Sequence, residues 1–94
     1  MTPEIAQAIA IELNFTLKPN WTVVETPQRF EVTAAAADRG APDFAGQLRQ
    51  EVWRIAHFIA YAHFVSIESD GHGGYLLTSR MDTGDGFEVH FLGP

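Results

Sequence analysis

The sequence contains no cysteine, and this absence excludes three classes of protein. Without thiols the chain forms no disulfide scaffold, uses no cysteine nucleophile and holds no thiolate-bound metal. Basic residues are also few, since six Lys and Arg stand against twelve Asp and Glu, for a formal net charge of −6. Binding to a nucleic-acid backbone relies on basic patches, so we expect no direct nucleic-acid contact. The acidic balance favours solubility and a partner with a basic surface.

Long apolar runs are missing as well. No run approaches the ~18 residues of a membrane-spanning helix, and the apolar start of the chain lacks the basic segment of a signal peptide. We therefore expect a cytoplasmic protein with no membrane contact. The chain has 94 residues, 46% of them hydrophobic and 19% charged, which suits one globular domain and leaves no room for a second core.

The spacing of the apolar residues predicts an α+β domain over residues 1–94. Thr2 and Pro3 are typical of a helix start, and the apolar stripe that follows predicts a short helix over 3–13. The longest helical periodicity predicts a central helix over 43–63. Alternating and β-branched segments predict five strands, at 21–25, 29–35, 64–69, 75–81 and 87–92.

The order of these elements is helix, two strands, long helix and three strands. Short loops between neighbouring strands indicate hairpins, so we expect a mostly antiparallel five-stranded sheet with both helices on one face. Residues 34–37 fit either a longer strand or a helical turn. The glycine-rich segment 70–74 predicts the most flexible loop, and 82–86 predicts a tight hairpin turn.

Neither a catalytic motif nor a cofactor motif is present in the sequence. His57 and His63 are six residues apart and point in different directions on one helix, so they do not share a metal. The acidic turn 82–86 lacks the EF-hand spacing. The loop 70–74 leads into a strand and not into a helix, so it provides no phosphate cradle. We expect no enzymatic activity, no metal and no cofactor.

The predicted central helix carries a second stripe opposite its apolar side. This stripe consists of Arg49, Trp53, Arg54, His57 and Tyr61. Tyrosine, tryptophan and arginine are enriched at the energetically dominant positions of interfaces. Two interpretations stay open: another element of the fold covers the stripe, so that Trp53 and Tyr61 are core, or the stripe is free for a partner. In the first half of the helix we expect the polar side, Glu51 included, to be in solvent.

The predicted function is the binding of another protein, without catalysis. The expected contact residues are the helix stripe (Arg49, Trp53, Arg54, His57, Tyr61) and the carboxylates of hairpin loops and outer strand faces (Glu68, Asp70, Asp82, Asp85, Glu88). In size, charge and lack of motifs the chain resembles the compact acidic proteins that phages encode to inhibit host defence, anti-CRISPR proteins among them. That resemblance covers no residue pattern. It implies an inhibitor that occupies a basic, nucleic-acid-binding surface of its partner.

Two other functions remain open. In one, a small molecule or a metal binds at the junction of sheet and helix, in a pocket lined by His57, Tyr61, His72 and His90. In the other, the chain is a structural subunit that works as a homo-oligomer, with the central helix packed against a second copy.

Overall fold

The computed structural model describes residues 1–59 and 62–94 as a five-stranded sheet with helices on one face, the α+β class that the sequence predicts. In chain order the elements are α1 (Pro3–Thr16), β1 (Thr22–Glu25), β2 (Phe30–Thr33), α2 (Ala36–Arg39), α3 (Phe44–Phe58), β3 (Ala62–Ser69), β4 (Tyr75–Met81) and β5 (Gly86–Phe91). Of residues 34–37, which fit two predictions, Ala36 and Ala37 begin the short helix α2, while Ala34 and Ala35 precede it. Within the described residues no helix is long and apolar enough to cross a membrane.

Helix α1 begins as its sequence predicts and ends later. The Thr2 side chain accepts a hydrogen bond from the Ile5 N–H at 3.2 Å, and proline occupies the first helical position. The helix continues to Thr16 instead of residue 13. Its last turn closes with the Leu17 N–H donating to the Leu13 carbonyl at 2.9 Å. The residue before a proline disfavours helical backbone, which explains why α1 stops ahead of Pro19.

The central helix α3 is shorter than predicted. It ends at Phe58, and Ile59 already has extended backbone (φ −74°, ψ 117°). The prediction of a helix to residue 63 is therefore wrong, because β3 begins at Ala62 and pairs with β4 from Ala62↔Met81 to Ser69↔Tyr75. A segment that is apolar on every side fits a buried helix or a strand equally well, and here the hydrogen bonds to β4 decide.

The sheet has the order β1-β2-β5-β4-β3. Three of its neighbouring pairs are antiparallel, as predicted, while β2 and β5 are parallel. Parallel strands require a long connection, and here the chain between them passes through α2, α3 and the hairpin of β3 and β4. Strands β1 and β3 are consequently the two edges of a mixed sheet.

One hydrophobic core lies between the helices and the sheet. Its fully buried side chains come from α1, α3 and the three inner strands: Ile9, Leu13, Val32, Leu48, Val52, Ile55, Leu77, Val89 and Phe91. Phe30 and Phe87 pack edge to face across β2 and β5, with ring centroids 6.0 Å apart. The alternate side chains of the strands point to the other side, here called the open face, and they are exposed or only partly buried.

Candidate functional site

Three aromatic rings contact one another on the outer surface between α3 and β3. The Trp53 and His57 rings are stacked, with centroids 5.8 Å apart and an interplanar angle of 24°. The Phe64 ring lies 5.6 Å from Trp53 and 6.2 Å from His57. Trp53 is 46% exposed and Phe64 40% exposed. We call these three residues the aromatic cluster, and its exposure shows that the stripe of α3 is open at Trp53 and His57.

Two elements bring the aromatic cluster together. Trp53 and His57 are one helical turn apart on α3, so their side chains stack along the helix surface. Phe64 belongs to the edge strand β3 and pairs with Ser79, which places its side chain on the same sheet face as the helices. A bulge follows at Val65, which is 48% exposed. The cluster therefore lies where the helix layer meets the edge of the sheet.

The His57 ring is held in a defined orientation. Its Nδ1 lies 2.7 Å from the Trp53 carbonyl oxygen, and a carbonyl only accepts, so Nδ1–H is the donor. The imidazole is thus fixed over the indole without being buried. A rigid aromatic surface with a polar nitrogen can contact a protein partner with little loss of side-chain entropy.

The side of α3 that faces α1 is occupied by an ion pair and not by solvent. Glu51 is only 3% exposed. Its carboxylate accepts from the Lys18 N–H at 2.8 Å and from two guanidinium nitrogens of Arg54 at 2.8 and 2.6 Å. Arg54 also donates to the Thr16 carbonyl. The expectation that Glu51 is in solvent is wrong, because this carboxylate satisfies backbone groups at the end of α1.

The hydrogen bond from Arg54 to Glu51 raises the pKa of the guanidinium above its ordinary value. Of the predicted stripe, Arg54 is accordingly held within the fold, with 39% of its side chain exposed. Arg49 is exposed. Tyr61 lies outside the described residues.

The predicted carboxylates lie away from the aromatic cluster. Glu68 lies on the open face of β3, opposite Leu76, and Glu88 lies on the open face of β5, 3.8 Å from Arg29. Asp82 and Asp85 flank the β4–β5 turn. There Asp82 forms a hydrogen bond with the exposed His63, and Asp85 accepts from Thr83 at 3.3 Å.

Among the predicted contact carboxylates, Asp70 is the one most strongly tied into the fold. One oxygen accepts from the His72 and Gly74 N–H groups at 2.7 and 2.9 Å, and the other accepts from His90 Nε2 at 2.7 Å. The bond from His90 is the main reason that the pKa of Asp70 is lowered to about 2. Gly74 packs so closely on the end of β5 that a Cβ there would overlap the Phe91 carbonyl. The glycine-rich loop 70–74 is therefore anchored, where the sequence predicts the most flexible segment.

The histidines do not form one pocket. His57 lies on the outer side of the helix layer, His90 on the open face of the sheet, and His72 is exposed in the loop between β3 and β4. The remaining member of that predicted set, Tyr61, is outside the described residues. In residues 1–59 and 62–94 no group of three or more His, Asp or Glu side chains could hold a metal ion.

Sequence reasoning missed two exposed apolar features. Phe64 joins the aromatic cluster from a different element, which helical spacing alone does not reveal. On α1, Ile11 is 59% and Phe15 92% exposed. A signal for the second feature was present, because α1 has apolar side chains nearly all round although it covers only one face of a sheet.

The sheet thus separates the predicted helix stripe from the predicted carboxylates, and the two sets come closest at the edge strand β3. Phe64 points to the helix side of this strand, while His63 and Glu68 point to the open face. A partner that covers the edge at β3 contacts aromatic and acidic groups together. A partner on either broad face contacts only one set.

Comparison with protein-family models, with curated proteins and with solved structures finds no match for this chain. The function is therefore inferred from the residues of the chain alone.

Proposed function

We propose that this protein is a non-enzymatic cytoplasmic binding module that occupies the basic surface of a partner protein. The observation that carries the proposal is the open aromatic cluster of Trp53, His57 and Phe64 at the β3 edge. Tryptophan that is left half exposed on a preformed surface is the residue type that most often dominates binding energy. The stacked and hydrogen-bonded rings need little ordering when a partner arrives.

One further apolar residue lies beside this surface. Val65, in the bulge of β3 next to Phe64, is 48% exposed. Soluble proteins rarely leave large apolar side chains grouped on one part of the surface unless they bind something there. The aromatic cluster supplies the anchor, and Val65 extends the apolar surface along β3.

The negative charge of the chain determines which kind of partner we expect. The chain carries a net charge of −6. Glu68 lies on β3, Asp82 pairs with His63 of the same strand, and both side chains are exposed. Both carboxylates can face a partner docked at that edge. Opposite charge on the partner accelerates encounter and is screened by salt. A surface rich in Lys and Arg, of the kind that holds nucleic acid, fits this distribution, and its occupation inhibits the partner.

The first test is capture of the partner from an extract of the source organism, followed by titration of the captured protein. Replacing Trp53 by alanine is expected to weaken the complex at least ~30-fold, mainly by faster dissociation. Val24→Ala, an exposed apolar residue on the opposite edge strand, is the matched control and leaves the affinity unchanged. Equal binding by the two variants overturns the proposal.

The second test separates local charge from total charge. Glu68→Gln with Asp82→Asn is expected to slow association roughly 10-fold at low salt. Glu4→Gln with Glu25→Gln removes the same charge from exposed positions on α1 and on the opposite edge strand β1, and it is expected to have little effect. If both pairs slow association equally, the partner does not dock at the β3 edge.

A second copy of the chain is the competing occupant of the aromatic cluster. In that case Trp53→Ala lowers the mass in solution and leaves partner capture unaffected. Light scattering on the wild type and this variant distinguishes the two occupants.

A further inference from the structure

Helix α1 has a second apolar stripe that faces away from the core. Ile9 and Leu13 are the buried stripe, at 1% and 0% exposure. On the opposite side, Ala8, Ile11 and Phe15 follow one another at helical spacing, and we call them the outer stripe. They line, with Glu12 and Thr16, a groove of about 400 Å³. At 92% exposure Phe15 has the most exposed aromatic ring among the described residues.

We propose that the outer stripe is a self-association surface, on which α1 of one copy packs antiparallel against α1 of a second copy and crosses it near Ile11. This inference concerns a surface other than the aromatic cluster. It does not depend on the proposed binding of a basic partner.

The order of side-chain sizes along the outer stripe makes it complementary to itself. From the start of the helix to its end the stripe is small, medium and large: Ala8, Ile11, Phe15. In a two-fold contact each surface must fit its own copy. When two such helices are antiparallel about Ile11, each Phe15 ring faces Ala8 of the other copy and enters the groove beside it. In a parallel pair Phe15 would meet Phe15, and the two Ala8 residues would leave a gap.

The charges of this segment also favour the antiparallel direction. The first turn of α1 carries Glu4, and its last turn carries no basic residue. Antiparallel packing places the Glu4 carboxylates of the two copies at opposite ends of the contact and opposes the two helix dipoles. Parallel packing would place the two Glu4 carboxylates side by side.

The size of the contact sets the strength of the dimer. Fourteen helical residues extend only ~21 Å. This contact is smaller than the ~800 Å² per partner of a stable interface, so we expect dissociation constants on the order of 100 µM. Since each copy carries a charge of −6, added salt strengthens the dimer by screening repulsion. Added salt is expected to weaken binding to a basic partner. The proposed dimer and the proposed partner binding can therefore fail separately.

The absence of cysteine allows a direct test by cross-linking with single cysteines. Under mild oxidation, Ile11→Cys is expected to form a disulfide-linked dimer at high yield. Val24→Cys, at an exposed position of the edge strand β1, is the matched control and stays largely monomeric. A mixture of Ala8→Cys and Phe15→Cys chains is expected to link as a heterodimer. If each of these variants instead links to itself, the helices are parallel and the proposal is overturned.

Sedimentation of the unmodified chain provides the second measurement. Between 10 µM and 1 mM, around the expected ~100 µM constant, the mass is expected to rise from 10.4 kDa toward twice that value. Phe15→Glu is expected to remain at 10.4 kDa, whereas Val24→Glu, equally a charge at an exposed apolar site, behaves as the wild type. Circular dichroism confirms that both variants are folded. A constant monomer mass, or self-association that Trp53→Ala abolishes and Phe15→Glu does not, overturns the proposal.

Discussion

The two flanks of α3 differ in which side chains they bury and which they expose. On the flank toward α1, the charged Glu51 is 3% exposed and makes three hydrogen bonds. On the flank toward β3, Trp53 is 46% exposed and contacts the rings of His57 and Phe64. The same helix thus buries a carboxylate and leaves an indole on the surface.

This difference shows that position in the fold outweighs the polarity of the residue. Glu51 lies beside the end of α1, where a backbone N–H and a carbonyl need partners, and the carboxylate and Arg54 provide them. Trp53 lies beside β3, an edge strand of the sheet, and there its indole packs against the Phe64 ring. Burial on one flank completes hydrogen bonds, and exposure on the other leaves the aromatic surface on which the proposed binding depends.

The largest expected effect is the loss of stability when the buried flank is broken. Glu51→Ala leaves the Lys18 N–H and the Arg54 guanidinium without their acceptor, so the free energy of unfolding is expected to fall by about 3 kcal/mol or more. Denaturant unfolding measures this value. Gln50→Ala, at the exposed position before it, is the control and is expected to stay within about 0.5 kcal/mol of the wild type. A loss below about 1 kcal/mol for Glu51→Ala would contradict the distinction between the flanks.

Asp70 extends the comparison to the loops, because it is anchored while Asp82 is exposed. The folded state lowers the pKa of Asp70 from 3.8 to about 2, so its contribution to stability is complete above pH 3.8 and is lost as the pH falls through 2. Asp70→Asn removes this pH dependence and is expected to cost about 1–2 kcal/mol at neutral pH.

Asp82→Asn is the matched control for this loop. Both side chains of the His63–Asp82 pair are more than 70% exposed, so the expected cost is below about 0.5 kcal/mol. If the two variants unfold with the same acid dependence, the bond between His90 and Asp70 does not stabilise the fold.

A substitution at Gly46 tests whether the start of α3 is as exposed to solvent as the flank that carries the aromatic cluster. A Cβ at this position would meet no atom within 4 Å among the described residues. Because glycine is a poor helix former, Gly46→Ala is expected to stabilise the protein by about 0.5–1 kcal/mol in thermal or denaturant unfolding. Gly74→Ala is the contrasting change, since its Cβ would overlap the Phe91 carbonyl, and it is expected to destabilise. A loss of stability for Gly46→Ala would show that this side of α3 is packed.

Features with a local cause are the ones that the sequence predicts correctly. Thr2 and Pro3 start α1, and the alternation of Phe87, Val89 and Phe91 places these three side chains in the core. The end of α3 has a non-local cause, because the strand that replaces it is selected by pairing with β4. The parallel pairing of β2 with β5 and the burial of Glu51 likewise depend on elements distant in sequence.

The candidate site follows the same rule. Helical spacing correctly predicts that Trp53 and His57 share one side of α3, since both residues belong to one element. Phe64 reaches them only because β3 is the edge strand next to α3, and the sheet order that decides this is absent from local patterns. For the same reason the sequence could not show that Glu68 and Glu88 face away from the aromatic cluster.

The open flank is expected to contribute less to stability than the buried flank, and two matched substitutions on α3 compare them directly. Trp53→Gln removes a large aromatic residue, and Glu51→Gln changes one atom of a polar side chain on the same helix. Residue hydrophobicity alone ranks the tryptophan change as the more damaging. We expect the reverse, with a loss of about 1 kcal/mol for Trp53→Gln, because half of the indole is already in water and the rest packs against only two rings.

Glu51→Gln is expected to cost about 2 kcal/mol, because it weakens the charged hydrogen bonds from Arg54 inside the fold. Denaturant unfolding of the two variants side by side measures the order directly. If Trp53→Gln proves the more destabilising, the aromatic cluster stabilises the fold, and this result contradicts its proposed role as a binding surface. If Glu51→Gln is the more destabilising, the exposed tryptophan contributes little to stability, as expected of a residue that contacts a partner.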